Sequence, residues 1–213
     1  MMDKQILKRY FIAGPQDFAG LTLPQSEQRI KNIITSGITT YQFRDKGAIY
    51  ADDNERLRFA QTLREFAAQA GVNFIVNDDV KLTKEVDADG VHLGQADVQL
   101  ELAREFLPQN VFIGLSVRNA VEMQKAQSSQ ADYLGVGPIF KTQSKADAAP
   151  ELGLAQLTEI LAQNSLPTVG IGGINLENQA TLKRTGLDGI AMISLLTQTT
   201  DLAATMEIIK QSW

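Results

Sequence analysis

The chain contains no cysteine and a single histidine, His92. Disulfides, thiolate nucleophiles and cysteine-ligated metals are therefore excluded, and so is a histidine-rich metal site. Any metal must be held by carboxylates and other oxygens, which points to Mg²⁺ or Mn²⁺. Positive charge is not in excess: the formal net charge is −5 over 213 residues. That balance argues against a nucleic-acid or membrane-surface partner, which usually requires a basic face. A phosphorylated small molecule remains open, because a few local cations suffice for it. No apolar run reaches the roughly 18 residues of a membrane span, and the opening MMDKQILKRYFIAG lacks the apolar core of a signal peptide; the expectation is a cytoplasmic protein. Linkers, charge blocks and low-complexity tracts are also missing, so residues 1–213 read as one domain.

What is present is an alternation of short β-rich runs with amphipathic helical segments. Strands are expected at Arg9–Ala13, Thr39–Phe43, Asn73–Asn77, Gly90–Leu93, Val111–Leu115, Tyr133–Val136, Thr168–Ile171 and Gly189–Ile193. Apolar residues at Ala60, Leu63, Ala67 and Ala70 share one face of a helix over 54–70. Leu100, Ala103 and Leu107 mark a second helix, Leu154, Leu157 and Leu161 a third, and Leu202, Met206 and Ile209 a last one capped by Asp201. Several strands are almost wholly apolar, as strands covered by helices should be. The first strand ends Ala-Gly-Pro-Gln, not the glycine-rich turn of a doubly wound sheet. Eight such units fit a single (β/α)8 TIM barrel, an α/β fold.

Polar residues gather at the carboxyl ends of these strands, the active-site face of such a barrel. Gln42, Arg44 and Lys46 alternate and so point the same way, a grip for phosphate in which arginine binds two oxygens at once. Asn77, Asp78 and Asp79 close the third strand, and Asp97 follows the fourth. Two carboxylates from neighbouring strands suit a hard cation, although either of Asp78 and Asp97 also suits a helix cap, and Asp79 reads as a cap or a supporting residue. Ser116 directly follows the fifth strand and either binds or caps; its surroundings lack a nucleophile-elbow pattern. The aperiodic loop 140–150, FKTQSKADAAP, carries Thr142, Ser144 and Lys145, two hydroxyls and a cation able to close over an anion. Gly172-Gly173 after the seventh strand and Ile193-Ser194 at the eighth occupy the place where barrels bind phosphate through backbone N–H groups. His92 lies within a strand and reads as a packed or supporting residue, not a general base.

Six stretches together resemble the thiamine-phosphate synthase family: Tyr41-Gln42-Phe43-Arg44-Asp45-Lys46-Gly47, residues 74–79 (FIVNDD), residues 88–97 (ADGVHLGQAD), residues 132–140 (DYLGVGPIF), residues 169–174 (VGIGGI) and residues 186–194 (GLDGIAMIS). The resemblance implies a transferase that joins hydroxymethylpyrimidine diphosphate to hydroxyethylthiazole phosphate, or its carboxylated form, releasing diphosphate. By position it implies that Gln42, Arg44, Lys46, Asn77, Ser116 and Lys145 bind the pyrimidine diphosphate. It assigns Mg²⁺ to Asp78 and Asp97, and the thiazole phosphate to Thr142, Ser144, Gly173, Ile193 and Ser194. Arg44, Lys46, Lys145 and Ser116 would carry the catalysis. Lys141 stands where the family usually has proline, and Ser144 where it often has threonine. Two rivals share the scaffold: a thiazole tautomerase, which needs no metal, and a non-catalytic barrel that only binds thiazole phosphate.

Overall fold

A computed structural model of the chain describes residues 2–46, 49–95, 100–142, 144 and 150–213. Eight parallel strands close into a barrel in sequence order. The elements run β1 (Arg9–Ala13), α1 (Leu23–Ile34), β2 (Thr40–Phe43), α2 (Asp53–Gln69), β3 (Asn73–Asn77), α3 (Val80–Glu85), β4 (Gly90–Leu93) and α4 (Leu100–Phe106). They continue β5 (Phe112–Val117), α5 (Ala120–Gln127), β6 (Tyr133–Val136), α6 (Gly153–Ala162), β7 (Thr168–Ile171), α7 (Gln179–Leu182), β8 (Gly189–Met192), α8 (Ser194–Thr197) and α9 (Leu202–Ser212). β8 returns to β1, with Tyr10 beside Ala191 and Phe11 beside Met192. Among the described residues no helix is long and apolar enough to cross a membrane.

The near-continuous apolar strands are explained by two separate cores. Successive side chains of a strand point to opposite faces. Tyr10, Ile12, Ile75, Tyr133, Val169 and Ala191 fill the barrel interior. Their neighbours Phe11, Ala13, Tyr41, Phe43, Phe74 and Val76 face outward into the layer beneath the helices. There Tyr41 stacks on Phe11 and meets Phe74 edge-on, at centroid separations of 5.4 and 5.6 Å.

Carboxylates at the amino ends of strands serve this scaffold. Asp89, Asp132 and Asp188, each just before an even-numbered strand, accept from the backbone N–H of Phe74, Ile113 and Thr168, at 2.7, 2.7 and 2.8 Å. They thereby tie the starts of β3, β5 and β7 to their neighbours. Helix starts use the expected chemistry. Asp201 accepts from the Ala204 N–H at 2.9 Å, and Asp52 and Asn119 do the same for α2 and α5.

Four expectations shift. β2 begins at Thr40, not Thr39. β5 extends to Val117, so Ser116 lies inside the strand, and the cap of α5 is Asn119. Strand β8 stops at Met192, leaving Ile193 as the residue before α8. Helix α6 buries Leu157 and Ile160 while Leu154 is 40% exposed, so its inner stripe runs one residue off the expected Leu154–Leu157–Leu161 line.

Candidate active site

A cavity of about 340 Å³ opens at the carboxyl ends of the strands. Its lining comes from the ends of β2 through β8.

On one side stand Arg44 and Lys46 after β2, Asn77 and Asp78 at the end of β3, and Ser116 on β5. The Arg44 backbone extends the sheet, its N–H donating to Ala13 O at 3.1 Å and its carbonyl accepting from Gln16 Nε2 at 2.7 Å. Lys46 Nζ lies 2.6 Å from Asp78 Oδ2. Asp78 adopts φ of +63°, a left-handed conformation uncommon outside glycine. Its N–H donates to His92 O at 2.9 Å, which fixes the unusual turn against β4. Strain of this kind concentrates at functional positions.

Behind these groups Arg56 of α2 joins two loops. Its guanidinium donates to Asp45 Oδ2 at 2.5 Å and to Asp79 Oδ2 at 2.9 Å. Asp45 separates Arg44 from Lys46, and Asp79 follows Asp78, so Arg56 holds the two site loops in register. Burial works to lower the Arg56 pKa, but the hydrogen bonds and charges of Asp45 and Asp79 outweigh it and raise the pKa above the usual value. Asp79 also caps α3 through the Leu82 N–H. Both readings of Asp79, cap and support, therefore apply at once.

The opposite side is made of Ile171 at the end of β7, Gly172 and Gly173 after it, and Ala191 to Ser194 at β8. Gly172 and Gly173 have φ of +99° and +64°. A Cβ on Gly173 would sit 2.5 Å from Lys141 O, so glycine here lets the turn nest against the loop after β6. The carbonyl of Gly173 is held by Asn178 Nδ2 at 2.9 Å. At the start of α8 the first N–H groups have no acceptor within the helix itself. Thr142 and Ser144 line the cavity between the two sides, and the Ser144 N–H donates to Thr142 Oγ1 at 3.2 Å.

Two expected site residues, Asp97 and Lys145, lie outside the described residues. Gln42 differs from expectation in depth. Its side chain points inward as the alternation requires, but it is 2% exposed and donates to Tyr10 OH at 2.8 Å. It supports the floor from one layer below, and the described cavity lining begins at Arg44. Among the polar side chains of the lining, Gln95 and Arg118 were not assigned to the site from the sequence, and His92, read there as packed or supporting, also faces the cavity. His92 bonds through both ring nitrogens, Nδ1 to Tyr133 OH at 3.1 Å and Nε2 to Ser116 Oγ at 3.0 Å. Gln95 Nε2 donates to Ser116 O at 2.6 Å. Arg118, half exposed, pairs with Glu122 at 3.1 Å. An arginine directly after a strand carrying a lined serine was the available signal for it.

The described charged lining is thus Arg44, Lys46 and Arg118 with Asp78, a cationic pocket in an acidic chain. Among the described residues no three histidine, cysteine, aspartate or glutamate side chains cluster as a metal cage. A lone oxygen donor such as Asp78 fits Mg²⁺, which keeps several waters and takes one or two carboxylates together with substrate phosphates.

The family model described as thiamine monophosphate synthase matches residues 9–196. The chain belongs to the thiamine monophosphate synthase family. Thiamine-phosphate synthases of Lactococcus lactis subsp. lactis and subsp. cremoris are both 50% identical to it; the first covers 97% of this chain and 96% of the relative, the second 96% and 94%. A solved thiamine phosphate pyrophosphorylase from Pyrococcus furiosus superposes with a TM-score of 0.83 at 32% identity, covering 98% of this chain and 96% of that one. Membership in the synthase family makes this chain an enzyme, a transferase of thiamine biosynthesis built on a TIM barrel.

Proposed function

We propose that the enzyme condenses hydroxymethylpyrimidine diphosphate with hydroxyethylthiazole phosphate, or its carboxylated form, to give thiamine phosphate and diphosphate. The carboxylated substrate would also release CO2. The observation that carries this reading is the two-sided cavity. Arg44 and Lys46, with Asp78, face a glycine-lined turn and a helix start across one space of about 340 Å³.

The chain's own groups then have distinct tasks. Arg44 and Lys46, with Lys145 from outside the described residues, bind the diphosphate and stabilise the charge it gains as the methylene C–O bond breaks. Asn77 and Ser116 orient it by hydrogen bonding. The bonding pair leaves with the diphosphate, the pyrimidine methylene becomes a resonance-stabilised cation, and the thiazole nitrogen supplies the pair for the new C–N bond. No protein nucleophile is needed, in keeping with a chain that lacks cysteine. Thr142, Ser144 and the backbone at Gly173, Ile193 and Ser194 hold the thiazole phosphate so that its nitrogen faces the methylene, which converts the encounter into an oriented step. Bound by Asp78 and by Asp97, Mg²⁺ would supply further neutralisation of the diphosphate charge.

The test is a turnover assay with both substrates and Mg²⁺, following thiamine phosphate and diphosphate. Equal amounts of the two products are expected, and Asp78→Ala should lower kcat by about 10²-fold or more, the scale of losing one organised electrostatic element. Wild-type protein that binds thiazole phosphate without turnover would refute the synthase reading and favour the binding-only barrel.

A further inference from the structure

Beneath the cavity a line of polar groups crosses the barrel interior. Gln42 Nε2 donates to Tyr10 OH at 2.8 Å, and Tyr10 OH meets Tyr133 OH at 2.8 Å. Tyr133 OH meets His92 Nδ1 at 3.1 Å, and His92 Nε2 meets Ser116 Oγ at 3.0 Å. Space is kept open for this line: a Cβ on Gly114 would lie 2.5 Å from both Tyr133 OH and His92 Nδ1, and one on Gly135 2.9 Å from His92 Cε1. Four links, two clearing glycines and full burial of both tyrosines amount to a constructed relay of orientation rather than incidental packing.

We propose that this chain runs in one direction, fixes His92 as its Nε2–H tautomer, and so makes the Ser116 hydroxyl a hydrogen-bond donor to the diphosphate in the cavity. The logic is one of proton counting. A phenol has one hydrogen to give. Tyr10 O already accepts from the Gln42 amide, so its hydrogen goes to Tyr133 O. The Tyr133 hydrogen then goes to His92 Nδ1, which must be unprotonated to receive it. A neutral imidazole with a bare Nδ1 carries its hydrogen on Nε2, and that hydrogen points at Ser116 Oγ. With its oxygen already accepting, Ser116 turns its own hydrogen into the cavity. Burial keeps both phenols protonated, pushing Tyr10 and Tyr133 above the ordinary tyrosine range. The reverse direction would spend the Ser116 hydrogen on His92 and present only lone pairs to an anion. His92, Tyr133 and Tyr10 are on this account positioning residues for Ser116. The role given to Ser116 rests on the synthase reading; the tautomer does not.

The single histidine makes the test direct, since every imidazole ¹⁵N signal belongs to His92. Long-range ¹H–¹⁵N correlation spectra are recorded on labelled wild type at about pH 8, above the ordinary histidine range. An unprotonated Nδ1 with a protonated Nε2, as one tautomer, is expected. A protonated Nδ1, or an averaged mixture, would overturn the proposal. Tyr133→Phe removes the donor to Nδ1 and should convert the single tautomer to a mixture. It should also lower kcat by about ten-fold, the worth of roughly one hydrogen bond, with KM for thiazole phosphate unchanged. A Tyr133→Phe protein that keeps the wild-type tautomer would equally overturn it. Should that variant fail to fold, the wild-type spectrum still decides, since a protonated Nδ1 there overturns the proposal by itself. Wild type with the expected tautomer but no turnover would leave the chain standing and sink the synthase reading instead.

Discussion

Replacing Arg56 with alanine tests how the site loops are held. Arg56 is 28% exposed at its side chain, Asp45 only 6% and Asp79 31%. The Asp45 contact is nearly dry, so its loss should cost about 2 kcal/mol, toward the lower part of the range for stranding a buried charge because Asp45 has further interactions. The Asp79 contact is wetter and screened, worth about 1 kcal/mol. Together Arg56→Ala should lose about 3 kcal/mol by urea unfolding, a fall in Tm of about 10 °C for a domain of this size. Arg56→Lys, which keeps the charge but cannot fork between two carboxylates, should recover only part. Because Asp45 sits between Arg44 and Lys46, KM for the pyrimidine diphosphate should rise about ten-fold, as a misplacement worth about 1.4 kcal/mol would produce. A stability loss under about 1 kcal/mol with unchanged KM would show that the loops hold themselves and that the clamp is incidental.

Gly114→Ala would place its Cβ 2.2 Å from Tyr133 Cζ. Overpacking of that kind should cost about 3 kcal/mol by denaturant unfolding and separate Tyr133 from His92; an unaffected variant would mean the barrel interior is looser than drawn. Burial raises the Asp17 pKa against the opposing pull of the Gly14 N–H, Arg44 and Gln16. The native state then binds more protons than the unfolded state between the unfolded value of about 3.9 and its own raised pKa, so stability falls as pH rises across that window. Asp17→Asn should remove that downward slope in a pH series of melting curves, and a steeper slope would reverse the argument.

The strands were legible because most are largely apolar and bounded by turn residues, and five of the eight fall at the expected bounds. Ser116 disguised the end of β5: a hydroxyl reads as a strand terminus, yet it is inside the strand because His92 satisfies it across the sheet. Short helices such as α7, with four residues, carry too little of a helical period to be marked by one. At the site, alternation told the direction of Gln42 correctly but not its depth, since spacing along a strand does not reveal which layer of the barrel a side chain occupies. The partnership of His92 with Tyr133 spans 41 positions and exists only once β4, β5 and β6 lie side by side. Arg118 was not singled out in the sequence, and only the closed barrel brings it to the cavity.

The central claim is that one face of the barrel is divided between a phosphate that leaves and a phosphate that stays. A crystal structure of the enzyme with thiamine phosphate, diphosphate and Mg²⁺ tests it most directly. The account predicts diphosphate against Arg44, Lys46, Asn77 and Ser116 with the metal at Asp78, and the ester phosphate against the backbone at Gly173, Ile193 and Ser194. Diphosphate seated on the Gly173–Ser194 side, or a metal bound away from Asp78, would contradict it.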